Sequence, residues 1–213
     1  MNLRRSLAFA GVAILTAATG SQAHAVEVSE LQHQIDEVLE KTTGGVQISP
    51  NEISWEGGEV IMSFPLPGEE IAPPSSRAAT KLQAKAAGIS EKSIKEAVAS
   101  GKDLAASDNC PTEIIGNDWY CFYQYKDFGG RRLQWNQARH EVRYFSLYDF
   151  ANKTSSWSNK GGKYIYVQGR SQTGMDRSCN DDPIILWQEH PHTKKSFVGA
   201  SLDNKADCFW TSY

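Results

Sequence analysis

The chain has 213 residues, with 22 Lys and Arg against 25 Asp and Glu, so it lacks the basic excess that a nucleic-acid-binding protein carries. Its four cysteines include no Cys-x-x-Cys pair, which removes the usual zinc-finger spacings and leaves bridges in an oxidising compartment as the better reading. No apolar run reaches the roughly 20 residues that a membrane span needs.

Residues 1–25 have the form of a secretory signal peptide. Arg4 and Arg5 supply its positive end, Leu7 to Ala18 its apolar stretch, and Ala23-His24-Ala25 a small-x-small cleavage site. The expected product is a soluble, secreted, extracellular monomer starting near Val26. Two regions of opposite character follow. Residues 26–109 carry 7 basic and 14 acidic side chains, whereas residues 110–213 carry 13 basic and 11 acidic, together with 19 of the 22 aromatics and all four cysteines.

In the leader, residues 26–64, Ser29 with Gln32 three places on suggests a capped helix start, and Val28, Leu31, Ile35, Val38 and Leu39 keep the helical period. Thr43-Gly44-Gly45 ends that helix. The alternation of Val46, Ile48, Ile53 and Trp55, then Gly57-Gly58 and Val60 to Phe64, predicts a small β-hairpin. Residues 65–109 read as a linker: Pro65 to Ser76 is rich in Pro and Gly, and Arg77 to Ala106 offers two weak helical patches broken at Gly88 and Gly101. An exposed, partly helical tether is expected there.

The last hundred residues hold a degenerate internal repeat. One copy runs from Cys121–Gly130 to Phe150–Trp157, the other from Ile165–Gly174 to Leu202–Phe209. The fronts align at an offset of about 44 and the backs at about 52, which puts some eight extra residues of the second copy around Cys179 to Trp187. Each copy opens on β-branched and aromatic residues and closes on a polar loop. This predicts an all-β domain over 110–213, built from two Greek-key motifs. Four cysteines allow three pairings. The repeat favours Cys110 with Cys121 and Cys179 with Cys208, while crossed pairings that tie the copies together stay open.

Enzymatic chemistry finds little support. No serine sits in Gly-x-Ser-x-Gly, and Glu189, His190 and His192 start a zinc set without a third ligand at suggestive spacing. Arg131-Arg132 and Lys194-Lys195 read as solvated faces. Trp119, Trp135, Trp157, Trp187 and Trp210 fit a core at strand spacing, with a sugar-binding groove as the alternative.

The motifs Cys121-x-Tyr123, Phe128-x-Gly130-Arg131-Arg132 and Ser155-Ser156-Trp157 occur together and in order. On them the segment from Cys110 to Lys163 resembles the secreted actinobacterial proteins of peptidase inhibitor family I36, whose founding member inhibits a metalloproteinase and has a βγ-crystallin fold. The resemblance implies a non-enzymatic partner of an extracellular protease, acting through a rigid, bridge-supported loop. The family's reactive bond follows a cysteine in the second half, and the nearest position is Cys179-Asn180. The inhibitory loop is therefore expected at Cys179, Asn180, Asp181 and Asp182. Those polar and acidic residues depart from the apolar side chain that thermolysin-like enzymes favour after the cleaved bond. The same fold implies calcium loops of the pattern Asn/Asp-Asn/Asp-x-x-Ser/Thr-Ser. Ala151 to Ser156 lacks the leading ligand and Asp203 to Cys208 lacks the final serine, so one weak calcium site from Ser155, Asp203 and Asp207 is expected, with no other cofactor. Two further readings follow from the fold resemblance: a calcium-stabilised extracellular structural module, and a killer-toxin-like antimicrobial or cell-wall-binding protein.

Overall fold

The computed structural model describes residues 20–99, 107–111, 119–170, 179 and 183–213. Most of the expected signal peptide, residues 1–19, lies outside them. Helix α1 spans Gly20–Lys41, so Ser29 lies inside it rather than at its cap. Gly44 ends the segment with φ of 78°, a conformation that glycine adopts without cost. Leu31, Ile35 and Val38 are buried, and they join the main hydrophobic core instead of a separate one.

Strands β1 (Val46–Ser49), β2 (Glu52–Trp55) and β3 (Val60–Ser63) follow as an antiparallel meander. This differs from a free-standing hairpin because β3 pairs in full register with a strand of the aromatic region, Val60 opposite Trp135 and Ser63 opposite Arg132. The physical reason is a β3 of Val, Ile, Met and Ser that is buried on both faces, which a two-stranded unit could not achieve alone.

The aromatic region supplies β4 (Tyr120–Tyr123), β5 (Arg132–Trp135), β6 (Arg143–Tyr144), β7 (Ser156–Asn159), β8 (Ile165–Arg170), β9 (Pro183–Glu189), β10 (Thr193–Lys195) and β11 (Cys208–Thr211). They form two antiparallel sheets. The larger has the order β1-β2-β3-β5-β4-β7-β10 and the smaller β6-β11-β8-β9. Each repeat copy contributes four strands, and each sends its third to the other sheet: β6 crosses to the smaller and β10 to the larger. The repeat is also visible in the loops before the last strands. Asn152 and Asn204, 52 positions apart, both take left-handed φ, 55° and 56°. Asn152 N–H donates to Ala206 O at 2.8 Å and Asn204 N–H to Thr154 O at 3.2 Å, a reciprocal pair that locks the two copies together.

Strand register corrects the front of the sequence alignment by one residue. Phe122 faces Trp157, and Val167 faces Phe209. With the backs at 52, Phe122 therefore matches Val167, an offset of 45 rather than 44. A one-residue slip matters because it exchanges the inner and outer faces of a strand. The insertion itself stays where the sequence puts it. Eight residues lie between the paired Tyr123 and Arg132, whereas sixteen lie between the paired Gln168 and Ile185.

Between the sheets lies a core of Tyr120, Phe122, Leu133, Trp135, Phe145, Phe150, Val167 and Phe209, with Trp55, Val60 and Met62 from the leader. Trp135 stacks on Tyr120 and meets Phe209 edge-on at 4.7 Å, geometries that aromatic quadrupoles favour. Trp119, Trp135 and Trp157 are buried, while Trp187 and Trp210 are half-buried.

Within 65–109, residues 72–86 and 108–109 pack on the larger sheet, which an exposed tether would not do. Helix α2 (Arg77–Ala86) is capped by Ser76, whose side chain accepts from Ala79 N–H, and α3 (Glu91–Ala99) follows the turn at Gly88. Gly58, with φ of 107°, lets the α2 backbone approach so closely that a Cβ would lie 2.8 Å from Leu82. The outer face of the larger sheet is polar around Arg132, and residues 72–86 and 108–110 cover it there. Arg132 is fully buried there, donating to Ala72 O, Pro73 O, Ser63 Oγ and Gln134 Oε1. Gln134 also donates to Ser75 Oγ and Gln83 Oε1, and Asn136 to Gln83 O. Arg131 is buried as well, between the rings of Phe64 and Phe150 and paired with Asp149. Both arginines thus depart from the solvated role expected of them, because buried carbonyls and amides needed donors that no apolar residue provides. Lys194 and Lys195 are exposed.

Candidate functional site

The extended β8–β9 connection occupies residues 171–182. Asn180, Asp181 and Asp182 lie outside the described residues, and Cys179 is the member of the expected inhibitory loop that the structure places. It is buried and joined to Cys208, with a Cα–Cα distance of 6.6 Å. Cys208 opens β11, a central strand of the smaller sheet held by β8 on one side and β6 on the other. Its sulfur lies 3.6 Å from Gln168 Oε1, and Gln168 O accepts from Asp207 N–H. The connection is therefore rooted on a strand whose own neighbours hold it on both sides. That anchor lies four positions before Pro183, where β9 begins.

The second bridge joins Cys110 to Cys121 on β4, with a Cα–Cα distance of 5.9 Å. Asp108 holds the chain leading into it. Its fully buried carboxylate accepts from Cys110 N–H, Ser158 Oγ and Lys160 Nζ, the last at 2.8 Å, with Lys194 Nζ at 3.5 Å. Burial alone would push this carboxyl upward, but the Lys160 ammonium, Cys110 N–H and Ser158 hold it below its ordinary value. Asp108 is not among the residues the sequence singles out. An Asp two residues before a bridged cysteine is a turn signal that carries no mark of its distant lysines.

At the other end of β9 sits Glu189, also fully buried. Oε1 accepts from Trp187 Nε1–H at 3.0 Å, and Oε2 has no partner. Burial favours its neutral form and pushes the carboxyl far above the usual range, against the smaller opposite pull of the Trp187 donor. His190 and His192 are exposed beside it. Among the described residues no group of three or more His, Cys, Asp or Glu side chains is arranged to hold a metal.

The calcium candidates lie at the reciprocal loops. Ser155 Oγ donates to Gln124 O at 2.9 Å, and Asp207 Oδ1 accepts from Asn152 Nδ2 at 3.2 Å. Asp203 Oδ1 is buried without a partner, as is Thr154 Oγ1, which the expected ligand set omits. The two orphan oxygens come from the two loops that bond to each other through Asn204 N–H and Thr154 O. None of the predicted site residues lines the groove of about 350 Å³ between Leu31, Leu66 and Arg131.

Residues 105–175 match the model of peptidase inhibitor family I36. That span is about a third of the chain, covers the whole first copy and ends four residues before Cys179. It carries the family's implication of a peptidase inhibitor, an activity that needs no catalytic centre. No curated protein and no solved structure matches the chain. Among the described residues no helix is long and apolar enough to cross a membrane.

Proposed function

We propose that the chain is a secreted protease inhibitor whose inhibitory element is the β8–β9 connection at Cys179, Asn180, Asp181 and Asp182, directed at an extracellular protease of the metalloprotease class. The observation that carries this reading is the Cys179–Cys208 bridge. It ties the connection that holds the extra residues of the second copy to a central strand of the smaller sheet. The strand order, with each copy's third strand given to the other sheet, supports two Greek-key motifs of the βγ-crystallin kind as the frame. A loop held at its root and offered as a substrate keeps the ends of a cleaved bond in place, so cleavage gains nothing and dissociation is slow. The test is a panel of metallo and serine proteases assayed with the chain from Val26 onward. Asn180→Leu is expected to strengthen inhibition of a thermolysin-like enzyme about tenfold or more, because filling an apolar pocket is worth roughly 1 to 3 kcal/mol. A panel with no inhibited enzyme would refute the reading.

A calcium-stabilised module is the second reading. Asp203 Oδ1 and Thr154 Oγ1 are two hard oxygens without donors in adjacent loops, the ligand type that calcium takes. Asp203 with Thr154 would hold the ion, with Ser155 and Asp207 close behind. A bound ion would supply the charge that their burial leaves unmatched. Calorimetry is expected to give dissociation in the roughly 0.1 to 1 mM range of extracellular sites, and Asp203→Ala to abolish it.

A further inference from the structure

We infer that the outer face of the smaller sheet, around Trp210, Tyr166, Gln188 and Ile185, is the second half of the protease-binding surface; the inference rests on the inhibitor reading and gives its loop a footprint. Register places these side chains together. Trp210 and Gln188 flank Tyr166 in one row across the sheet, and Cys208 and Ile185 flank Gln168 in the next. Cys208 and Trp210 are two apart on one strand, so they point to the same face, about 7 Å apart. The root of the loop and the aromatic row therefore share one surface.

Three observations select a protease as the occupant. A stable inhibitor contact covers roughly 800 Å² on each partner, which a few loop residues do not supply. Whatever grips the connection at Cys179 must spread over what lies beside its bridge partner Cys208, and that is this face. The matching face of the larger sheet is closed at these positions, since Arg132 and Gln134 are buried beneath residues 72–83, and Cys121 and Tyr123 beneath Asp108 and Cys110. Finally, the row is built as a preformed contact. Tyr166 and Trp210 stack at 4.2 Å, and the Tyr166 hydroxyl lies 3.5 Å from Gln188 Nε2. Tyr and Trp held in this way give contact area at low entropic cost and are the residues that dominate such interfaces. A bulge opposite Val167 and Gln168 inserts one residue into β9 beside Ile185, which is more than half exposed.

The experiment measures inhibition constants against the protease that the wild-type chain inhibits best. Trp210→Ala and Tyr166→Ala are expected to weaken inhibition tenfold or more. Ile185→Arg and Gln188→Arg, at exposed positions that do not threaten folding, are expected to do the same by placing charge in the contact. Tyr125→Ala, on a separate exposed site, is expected to change it less than twofold. If the four face variants inhibit as the wild type does while Asn180→Leu still shifts the constant, this inference falls and the loop reading stands. If the wild type inhibits nothing, both fall. A wild-type dimer in sedimentation that Gln188→Arg dissolves, or retention on insoluble glycan that Trp210→Ala abolishes, would reassign the face to a second copy or to a polysaccharide and overturn the proposal.

Discussion

The two sheets start from the same repeat and end with opposite exposures. In the larger, Arg132, Gln134, Ser63 and Ser158 make a buried polar patch on the outer face, because the leader adds three strands and residues 72–86 and 108–110 lie across it. In the smaller, Cys208 and Gln168 are buried on the equivalent face, but Tyr166 and Trp210 are half-exposed and Gln188 and Ile185 exposed. The difference teaches that the N-terminal region belongs to one half of the β domain. It covers the polar patch around Arg132 on one face of a near-symmetric frame and not the row around Tyr166 on the other.

Removing residues 26–109 tests this most severely. The larger sheet would lose β1 to β3, and Arg132 would lose Ala72 O, Pro73 O and Ser63 Oγ together. The remaining 110–213 segment is expected to melt without a cooperative transition, checked by circular dichroism against temperature. A sharp transition in that segment would break the comparison.

Next in size is Arg132→Ala, expected to cost roughly 3 to 5 kcal/mol in denaturant unfolding, since it strands several buried acceptors at once. Trp210→Ala on the open sheet should cost far less, because that side chain is only half-buried. The pair measures the asymmetry directly.

The bridges sharpen the comparison further. Chain-entropy estimates give about 3.6 kcal/mol for Cys179–Cys208, which closes the longer loop, and about 3 kcal/mol for Cys110–Cys121. Replacing Cys179 and Cys208 by serine is expected to lose inhibition even where the fold persists. The Cys110 and Cys121 double variant is expected to lose stability and retain inhibition in its folded fraction.

The smallest expected effects lie in pH dependence, and the two sheets should respond in opposite directions. Asp108, on the covered sheet, has a carboxyl held below its ordinary value of 3.8, so its contribution is complete above that pH and is lost as pH falls further. Asp108→Asn should remove it, at roughly 1.5 to 3 kcal/mol at neutral pH. Glu189, on the edge strand β9, has a carboxyl raised far above 4.5, so its neutral form fits the fold fully below pH 4.5 and stability declines as pH rises past that value. Glu189→Gln, which keeps an acceptor for Trp187 without the titration, should raise the melting temperature at pH 7 and flatten that decline. An unchanged pH profile in Glu189→Gln would show that the buried carboxyl is not what limits the smaller sheet.

Much of the β architecture was legible because its signals are local. Alternation marked the strands, and the repeated Asn-Lys loops marked equivalent turns, where Asn152 and Asn204 take the left-handed φ that asparagine tolerates. The longer β8–β9 connection also showed as a gap between repeat ends. The one-residue slip of the front alignment has an equally physical origin. Both faces of β4 and β8 are rich in aromatic and apolar residues, so similarity alone does not tell inner from outer. The calcium expectation named Asp203 for its acid, whereas Thr154 Oγ1 stands out only in being buried without a hydrogen-bond partner among the described residues, which no motif records.

The sequence by itself determined an all-β aromatic region, its two-fold repetition, the position of the extra residues and the likeness to inhibitor family I36, since each rests on neighbours along the chain. Only the tertiary structure decided that the leader joins the larger sheet, that Arg131 and Arg132 are interior, that Asp108 faces Lys160, and that the larger sheet's outer face is covered around Arg132 while the smaller keeps Gln188 and Ile185 exposed. These depend on partners separated by tens of residues: Arg132 meets carbonyls 59 and 60 positions away, and Asp108 a lysine 52 away. A charged side chain in sequence reads as solvent-facing because leaving water is costly. Whether buried acceptors offset that cost is set by which segments the folded chain brings against it.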